Sequence, residues 1–263
     1  MITKEKYGYK RILALIVFCL CLALALPVQA AKNDEPVTTV ILVRHGQTDY
    51  NKENRYQGFL DIPLNEKGLA QADQLAASLK DVHIDVFIAS PLKRAYVTTE
   101  KCAQAKGMEI SYTDERLKEI NYGKWAGRSK KEIAETEPKA SRLWQETPWK
   151  TRPPEGESLQ ELAARYRAAL DDAVRRYPGK TIFIGAHSKG NMALLCNVLG
   201  IGLEHYLQFE QDNTCANVLK LTGQPPVFIL YLFCQKLPQS VPCLFQGHAD
   251  RTWGHAQHIG YFV

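Results

Sequence analysis

The chain has 263 residues, of which 45% are hydrophobic and 23% are charged. This length suits one large domain or two small ones, and the composition excludes a fibrous or largely disordered protein. The formal net charge is +5 at pH 7, and residues 1–30 contribute +3 of it, which leaves +2 for the rest of the chain. So small a surplus gives no general reason to expect binding to nucleic acid.

The first thirty residues have the build of a secretory signal peptide. Four basic residues within positions 4–11 precede an unbroken apolar run of fifteen residues at 12–26. A membrane span needs roughly twenty residues, and Val28-Gln29-Ala30 matches the small-residue cleavage pattern. We expect cleavage after Ala30 and a mature protein that is periplasmic or secreted. The alternative is an uncleaved anchor that tethers the domain outside, and only then would a membrane be involved.

The cysteines indicate neither a disulfide framework nor a metal site. Removing residues 1–30 reduces the seven cysteines to five, an odd number, so at least one thiol is unpaired. Cys102 and Cys196 lie in apolar helical patterns and are predicted to be buried free thiols. Three histidines in the tail, at positions 248, 255 and 258, have no spacing typical of a metal site. We predict no metal and no other cofactor.

The first strand ends at two polar side chains. Residues 38–43 are almost all β-branched or apolar, which predicts a strand that is buried on both faces. The run stops at Arg44 and His45, and Gly46 permits a sharp turn of the backbone. Because ligands of open α/β sheets bind beyond the carboxyl ends of the strands, we expect Arg44 and His45 to lie in a pocket.

Strands and helices alternate along the rest of the chain. Further strands are predicted at 84–89, 109–112, 181–186 and 216–221, with a last edge strand at 227–234. Helices with one apolar face are predicted after Asn65, after Ser90 and Pro91, after the Ser158-to-Glu161 capping box and from Gly190. His187 follows one strand directly, as His45 follows the first. This alternation predicts an α/β three-layer sandwich with a mostly parallel sheet and helices on both faces.

Residues 31–223 are predicted to form one domain, because no internal repeat or linker interrupts them. Residues 224–263 are treated as an edge strand and a tail. The polar stretch 130–154, with two tryptophans and several prolines, is predicted to cover one end of the sheet. It serves either as a lid or as surface packing.

Five residues from separate elements are expected to meet in one crevice: Arg44, His45, Arg94, Glu119 and His187. Their chemistry meets the needs of phosphoryl transfer through a histidine. Nearby arginines disfavour the charged form of an imidazole and so keep it neutral and nucleophilic. A guanidinium group binds two phosphate oxygens at once, in bidentate fashion. A carboxylic acid then protonates the leaving alkoxide.

The motif Arg44-His45-Gly46-Gln47-Thr48-Asp49-Tyr50-Asn51, with Ser90-Pro91-Leu92-Lys93-Arg94, Glu119 and His187, resembles the histidine phosphatase superfamily. This superfamily is also called phosphoglycerate mutase-like. The resemblance covers residues 37–221, and the chain is similar in its compact build to the broad-specificity and alpha-ribazole phosphatases. It implies the phosphoglycerate mutase-like fold and a phosphomonoesterase that acts on a small phosphorylated substrate through a phosphohistidine.

The resemblance also implies roles for individual residues. His45 becomes phosphorylated, Arg44, Arg94 and His187 hold the phosphoryl oxygens, and Glu119 serves as proton donor and then as base. Asn51 and Gln57 match positions that line the phosphate pocket. The chain departs from the pattern at Ser188, where such proteins usually have glycine. Lys189 either contacts phosphate or faces solvent.

Two other functions stay open from the sequence. One is a phosphoglycerate-type mutase, which transfers the phosphoryl group between hydroxyls instead of releasing it. The other is a module that binds phosphate or a phosphoprotein without catalysis. The expected partner is a small phosphorylated substrate and not nucleic acid, and the oligomeric state is left open.

Overall fold

The structure is a computed structural model that describes residues 36–222 and 227–233. The predicted signal peptide at residues 1–30 and the tail at residues 234–263, with its two cysteines and three histidines, lie outside the described residues. The cleavage site and the domain boundary at residue 223 therefore stay predictions.

The described residues form one six-stranded sheet with helices packed on both of its faces. The strands are β1 (Thr38–Arg44), β2 (Val86–Ala89), β3 (Tyr112–Thr113), β4 (Thr181–Ala186), β5 (Ala216–Thr222) and β6 (Val227–Phe233). Their order is β3-β2-β4-β1-β5-β6. The first four are parallel to one another, β5 runs antiparallel to its neighbour β1, and β6 runs antiparallel to β5. The predicted α/β fold with a mostly parallel sheet is confirmed.

The helices within these ranges are α1 (Asp49–Lys52), α2 (Glu66–Ser78), α3 (Lys93–Gln104), α4 (Lys130–Thr136), α5 (Pro138–Glu146), α6 (Leu159–Arg176) and α7 (Ser188–Val198). Four short 3₁₀ helices lie at Glu115–Leu117, Gly123–Trp125, Pro148–Lys150 and Leu203–Gln208. Helices α4 and α5 occupy most of the predicted insertion at 130–154.

Strand β1 is buried on both faces because its side chains alternate between two apolar clusters. Val40 and Leu42 share a cluster with residues of α6 and α7, whereas Ile41 and Val43 share one with residues of α2 and α3. Full burial of such a side chain stabilises the fold by about 1.5–3 kcal/mol. The three layers therefore meet at the strand that carries Arg44.

Two helix starts match the sequence prediction closely. The side chain of Asn65 accepts a hydrogen bond from the backbone N–H of Gly68, as an N-cap does. In α6, the Ser158 hydroxyl accepts from the N–H of Glu161, while the Glu161 carboxylate accepts from the N–H of Ser158. Such caps are each worth about 0.5–2 kcal/mol. The prediction of buried free thiols is also confirmed for Cys102 and Cys196.

Two other helix starts differ from the prediction. Helix α3 begins at Lys93 and not near Ser90, because the Asp61 side chain caps it by accepting from the N–H of Lys93 at 2.7 Å. The Ser90 hydroxyl accepts from the N–H of Leu92 at 3.4 Å and also bonds to His187 at 2.8 Å. Helix α7 begins at Ser188, two residues before the predicted start. Both differences come from contacts between residues that are far apart in sequence.

Within residues 36–222 and 227–233, none of the helices combines the length and apolar character of a membrane crossing.

Candidate active site

The two histidines meet because β1 and β4 are parallel neighbours. Arg44 pairs with Ala186 in the register, so the residues that follow each strand, His45 and His187, emerge side by side. The N–H of His45 donates to the carbonyl of Ala186 at 3.1 Å. The centroids of the two imidazole rings lie 5.1 Å apart, with an angle of 61° between the ring planes.

A cavity of about 570 Å³ opens at this end of the sheet. Six of the seven predicted site residues line it, namely Arg44, His45, Asn51, Gln57, Arg94 and Glu119. The seventh, His187, is fully buried and does not line the cavity, although its ring contacts that of His45. The structure therefore brings all seven residues into one region of the molecule.

The tautomer of His45 follows from its hydrogen bond. Its Nδ1 atom lies 2.6 Å from the carbonyl oxygen of Gly46, and because a carbonyl only accepts, Nδ1 carries the proton. Nε2 therefore keeps its lone pair. Burial holds the pKa of His45 well below its usual value, and the charges of Arg94 and Arg44 lower it further. The ring is neutral near pH 7 and suited to act as a nucleophile.

The two arginines are fixed by backbone carbonyls. The Nη atoms of Arg94 donate to the carbonyls of Leu60 at 2.7 Å and Gly58 at 2.8 Å. Arg44 donates through Nη1 to the carbonyl of Gln211. Burial lowers the pKa of Arg94 to about 10, although Glu119 opposes that shift, so its guanidinium stays charged at neutral pH. Both cations are pre-positioned beside His45.

Three buried polar atoms around His45 have no hydrogen-bond partner within the described part of the chain: Nε of Arg44, Nε of Arg94 and Nδ1 of His187. Buried polar groups in folded proteins are rarely left unpaired, and an unpaired group costs about 1–3 kcal/mol. The Nε2 atom of His187 bonds to the Ser90 hydroxyl at 2.8 Å. Phosphoryl oxygens are the acceptors that match the two guanidinium donors.

Asn51 and Gln57 share one polar network. The Thr48 hydroxyl lies 3.0 Å from Oε1 of Gln57 and 3.2 Å from Oδ1 of Asn51. The side-chain amide of Asn213 donates to Oδ1 of Asn51 at 3.3 Å and to the carbonyl of His45 at 3.0 Å. The oxygens of Asn51 and Gln57 are thus occupied, and their amide N–H₂ groups remain for a ligand. Asn213 could not be identified from the sequence, because only the folded chain brings this distant residue next to His45.

Glu119 is held against the start of α7. Its Oε1 accepts from the N–H groups of Ile120 at 3.0 Å and Gly190 at 3.2 Å, and its Oε2 accepts from that of Lys189 at 3.2 Å. Gly190 must be glycine here, since a Cβ atom would overlap the ring of Tyr166. The carboxyl group is thereby fixed at the cavity wall.

Arg165, on α6, fastens the segment that carries Glu119. Its guanidinium donates to the backbone carbonyls of Arg116 and Lys118, each at 2.6 Å, and of Glu119 at 2.9 Å. It also pairs with the carboxylate of Glu157 at 2.6 Å. The sequence analysis did not single out Arg165, because nothing in a helical pattern shows that an arginine will reach a loop 46 residues away.

Ser188 occupies ordinary backbone. It is the first residue of α7, and it is not among the residues with a positive φ angle. A glycine is therefore not required here by backbone conformation. Its neighbour Lys189 lines the cavity, with Nζ 5.3 Å from the centre of the Tyr206 ring. Burial lowers the pKa of Lys189 to about 8, although the charge of Glu119 opposes this.

Among the described residues, no group of three or more His, Cys, Asp or Glu side chains is placed to hold a metal ion. The charged residues that line the cavity are mostly basic: Arg44, Arg55, Arg94, Lys130, Lys131 and Lys189, with Glu119 as the acidic one. Such a cavity favours an anionic ligand.

The chain resembles known phosphatases and mutases over most of its length. A family model described as the histidine phosphatase superfamily (branch 1) matches residues 40–232. Phosphoserine phosphatase 1 of Hydrogenobacter thermophilus is 36% identical over 190 residues, which cover 72% of this chain and 90% of that protein. "Probable phosphoglycerate mutase GpmB" of Escherichia coli is 38% identical over 62% of this chain and 75% of its own length. The solved structure of mycobacterial glucosyl-3-phosphoglycerate phosphatase superposes with a TM-score of 0.69 at 28% identity, over 74% of this chain and 98% of that one.

Proposed function

The chain belongs to the histidine phosphatase superfamily (branch 1) and is a phosphatase, and from this premise we propose which residues carry out its reaction. The reaction hydrolyses a small phosphomonoester in two steps, through a phosphohistidine. One observation supports the assignment above the others: His45 lines the cavity as a neutral imidazole with its Nδ1 proton bound to Gly46.

In the first step, Nε2 of His45 attacks the phosphorus atom and the bond from phosphorus to the ester oxygen breaks. Glu119, in its protonated form, gives its proton to the departing oxygen, and the alcohol leaves. Arg44 and Arg94 offset the charge on the transferring phosphoryl group without having to move, because backbone carbonyls already hold them.

In the second step, water attacks the phosphorus of the phosphohistidine. The Glu119 carboxylate takes a proton from that water, the bond from phosphorus to nitrogen breaks, and inorganic phosphate leaves. His187, Asn51 and Gln57 complete the phosphoryl pocket. Their amide and imidazole groups supply hydrogen bonds that the two guanidinium groups do not reach.

The experiment is a phosphate-release assay on the full chain. The substrates are phosphoserine, 3-phosphoglycerate and p-nitrophenyl phosphate, each with and without EDTA. We expect release by the wild type under both conditions and its loss in His45→Ala. The matched control is His83→Ala, since the His83 side chain is 81% exposed on the surface. Equal activity of His45→Ala and the wild type would contradict the proposal.

A mutase is the second candidate, favoured by the similarity to the protein named as a probable phosphoglycerate mutase. A mutase would move the phosphoryl group between the hydroxyls of phosphoglycerate and release little phosphate. The same incubations, followed by ³¹P NMR, separate free phosphate from an isomerised phosphoester. We expect free phosphate as the main product.

We also propose that the protein is exported. The basic residues at 4–11, the apolar run at 12–26 and the small residues before position 31 support this. The test is the N-terminal sequence of the protein recovered from the periplasm or the medium of a bacterial host. A first residue of Ala31 is expected, and full-length protein confined to the cytoplasm would contradict the proposal.

A further inference from the structure

The cavity contains more positive charge than the phosphoryl group uses. Of its six basic residues, Arg44 and Arg94 are assigned to the phosphoryl oxygens. Arg55 pairs with Glu53 at 2.6 Å, and Lys131 lies 3.9 Å from Glu135. Among the ion pairs of the described part of the chain, none involves Lys130 or Lys189.

Of these two lysines, Lys189 gives the stronger evidence that the cavity binds a further anion. Its side chain is partly buried, and its polar contacts are weak: Sδ of Met192 at 3.9 Å and the face of the Tyr206 ring at 5.3 Å. Glu119 is close, but its two oxygens already accept three backbone N–H groups. A partly buried ammonium without a paired carboxylate is unfavourable in a protein that binds nothing there.

Lys130 lies close enough to Lys189 that its charge helps to lower the pKa of that lysine. Its side chain is exposed, while its backbone is fixed by the bond from its N–H to the carbonyl of Asn54 at 2.9 Å. Two cations that repel each other across a cavity mark a place where an anion is stabilised. The walls beside them are formed by Trp144, Pro148, Tyr206 and Leu207.

We propose that Lys189, assisted by Lys130, binds a second anionic group of the substrate while Arg44 and Arg94 hold the phosphoryl group. This inference rests on the proposed function and names its substrate class: small phosphomonoesters with a carboxylate or a second phosphate. A cavity of about 570 Å³ is large enough for both groups of such a molecule.

The test uses substrates that differ in one group. Glycerol 3-phosphate and 3-phosphoglycerate share a carbon skeleton, and the second has a carboxylate where the first has a hydroxymethyl group. Glycerol 1,3-bisphosphate has a second phosphate and no carboxylate. It therefore shows whether the second anionic group that the site binds is a carboxylate or a phosphate. We expect the wild type to prefer 3-phosphoglycerate, the bisphosphate or both, which have a second anionic group, over glycerol 3-phosphate in kcat/KM.

In Lys189→Met this preference is expected to fall roughly 10- to 100-fold, as for the loss of one charged hydrogen bond. Lys189→Arg should retain part of it, and Lys130→Met, at an exposed position, should lower it less. The matched control is Lys139→Met, an exposed lysine of α5 that does not line the cavity. An unchanged preference in both Lys189→Met and Lys130→Met would overturn the inference, as would a wild type with no preference.

Binding provides a readout that does not depend on turnover. Calorimetry on His45→Ala should give tighter binding of the preferred ester with a second anionic group than of glycerol 3-phosphate, and adding Lys189→Met should remove the difference. If the wild type hydrolysed nothing but this binding difference held, the proposed function would fail and the second anion site would stand. Equal binding of all three ligands to His45→Ala would overturn the site itself.

Discussion

The imidazole ring of His45 lies edge to face with that of His187, with 5.1 Å between the ring centroids. Two adjacent histidines cannot both be charged at low cost, and burial lowers the pKa of each further. The pair is therefore kept neutral. Neutrality is what a nucleophilic imidazole requires, since only the unprotonated Nε2 has a lone pair to give.

The pKa of His45 should lie well below 6.5 in the folded protein. Because the neutral form is the active one, the nucleophile should stay competent as the pH falls through 6.5 and should be lost only in stronger acid. NMR of ring-labelled histidine, assigned with His45→Ala, measures this directly. A His45 signal that titrates at pH 6.5 or above would contradict the electrostatic picture.

Glu119→Gln should slow the hydrolysis of alkyl phosphates by about 10²–10⁴-fold, because the leaving alkoxide then lacks its proton donor. The first step should be much less affected with 2,4-dinitrophenyl phosphate, whose leaving group needs no proton. Pre-steady-state release of dinitrophenol measures that step. Equal slowing of both esters would show that Glu119 does not act as the acid.

Arg165→Lys should weaken the hold on the loop that carries Glu119, because one ammonium cannot replace a guanidinium that reaches three carbonyls and a carboxylate. As in Glu119→Gln, we expect the hydrolysis of alkyl phosphates to slow more than that of 2,4-dinitrophenyl phosphate, but by a smaller factor. Arg175→Lys is the control, since that side chain is 73% exposed near the end of α6. A uniform loss with every ester would indicate a purely structural role for Arg165.

The preference for an ester with a second anionic group should decrease as the pH rises through about 8. The pKa of Lys189 is lowered to about 8 by burial, while Glu119 raises it and Lys130 and Arg44 lower it. Above that pH the ammonium is lost. The ratio of kcat/KM for 3-phosphoglycerate to that for glycerol 3-phosphate isolates the effect, because ionisation of the phosphoryl group is common to both. A ratio that is constant from pH 7 to 9.5 would argue against this role for Lys189.

Gly190→Ala should reduce both stability and activity. The added methyl group would overlap the Tyr166 ring, whose hydroxyl donates to the carbonyl of Leu117 at 2.8 Å, near Glu119. Overpacking of this kind costs typically about 1–3 kcal/mol in the free energy of unfolding. Urea unfolding of the variant beside the wild type measures it. Wild-type stability together with wild-type activity would show that the contact is easily relieved.

The proposed site residues that the sequence could indicate are those at the ends of elements. Arg44 ends the buried strand β1, His45 and His187 directly follow β1 and β4, and the fold places such positions at one edge of the sheet. Glu119 lies in a loop, and the resemblance to a known family supported its assignment more than its position in the pattern did. The α/β fold itself followed from alternating apolar patterns, which depend on residues close in sequence.

What the sequence could not indicate depends on contacts between distant residues. Asp61 caps α3 from 32 residues away, and Asn213 reaches His45 across 168 residues. Arg165 looks like a surface residue of an amphipathic helix until its carbonyl partners are known. From the sequence, Lys189 could contact phosphate or face solvent, because a residue three positions beyond the end of β4 can point either way. In the structure it lies over the Tyr206 ring and lines the cavity.

The central claim is that His45 carries the phosphoryl group during the reaction. The most direct measurement is rapid quenching of the full chain with ³²P-labelled substrate, followed by peptide mapping under alkaline conditions that preserve phosphohistidine. We predict acid-labile phosphate on the peptide that contains His45 in the wild type and in His83→Ala, and none in His45→Ala. Phosphate release without any labelled wild-type protein, or label on another residue, would contradict this mechanism.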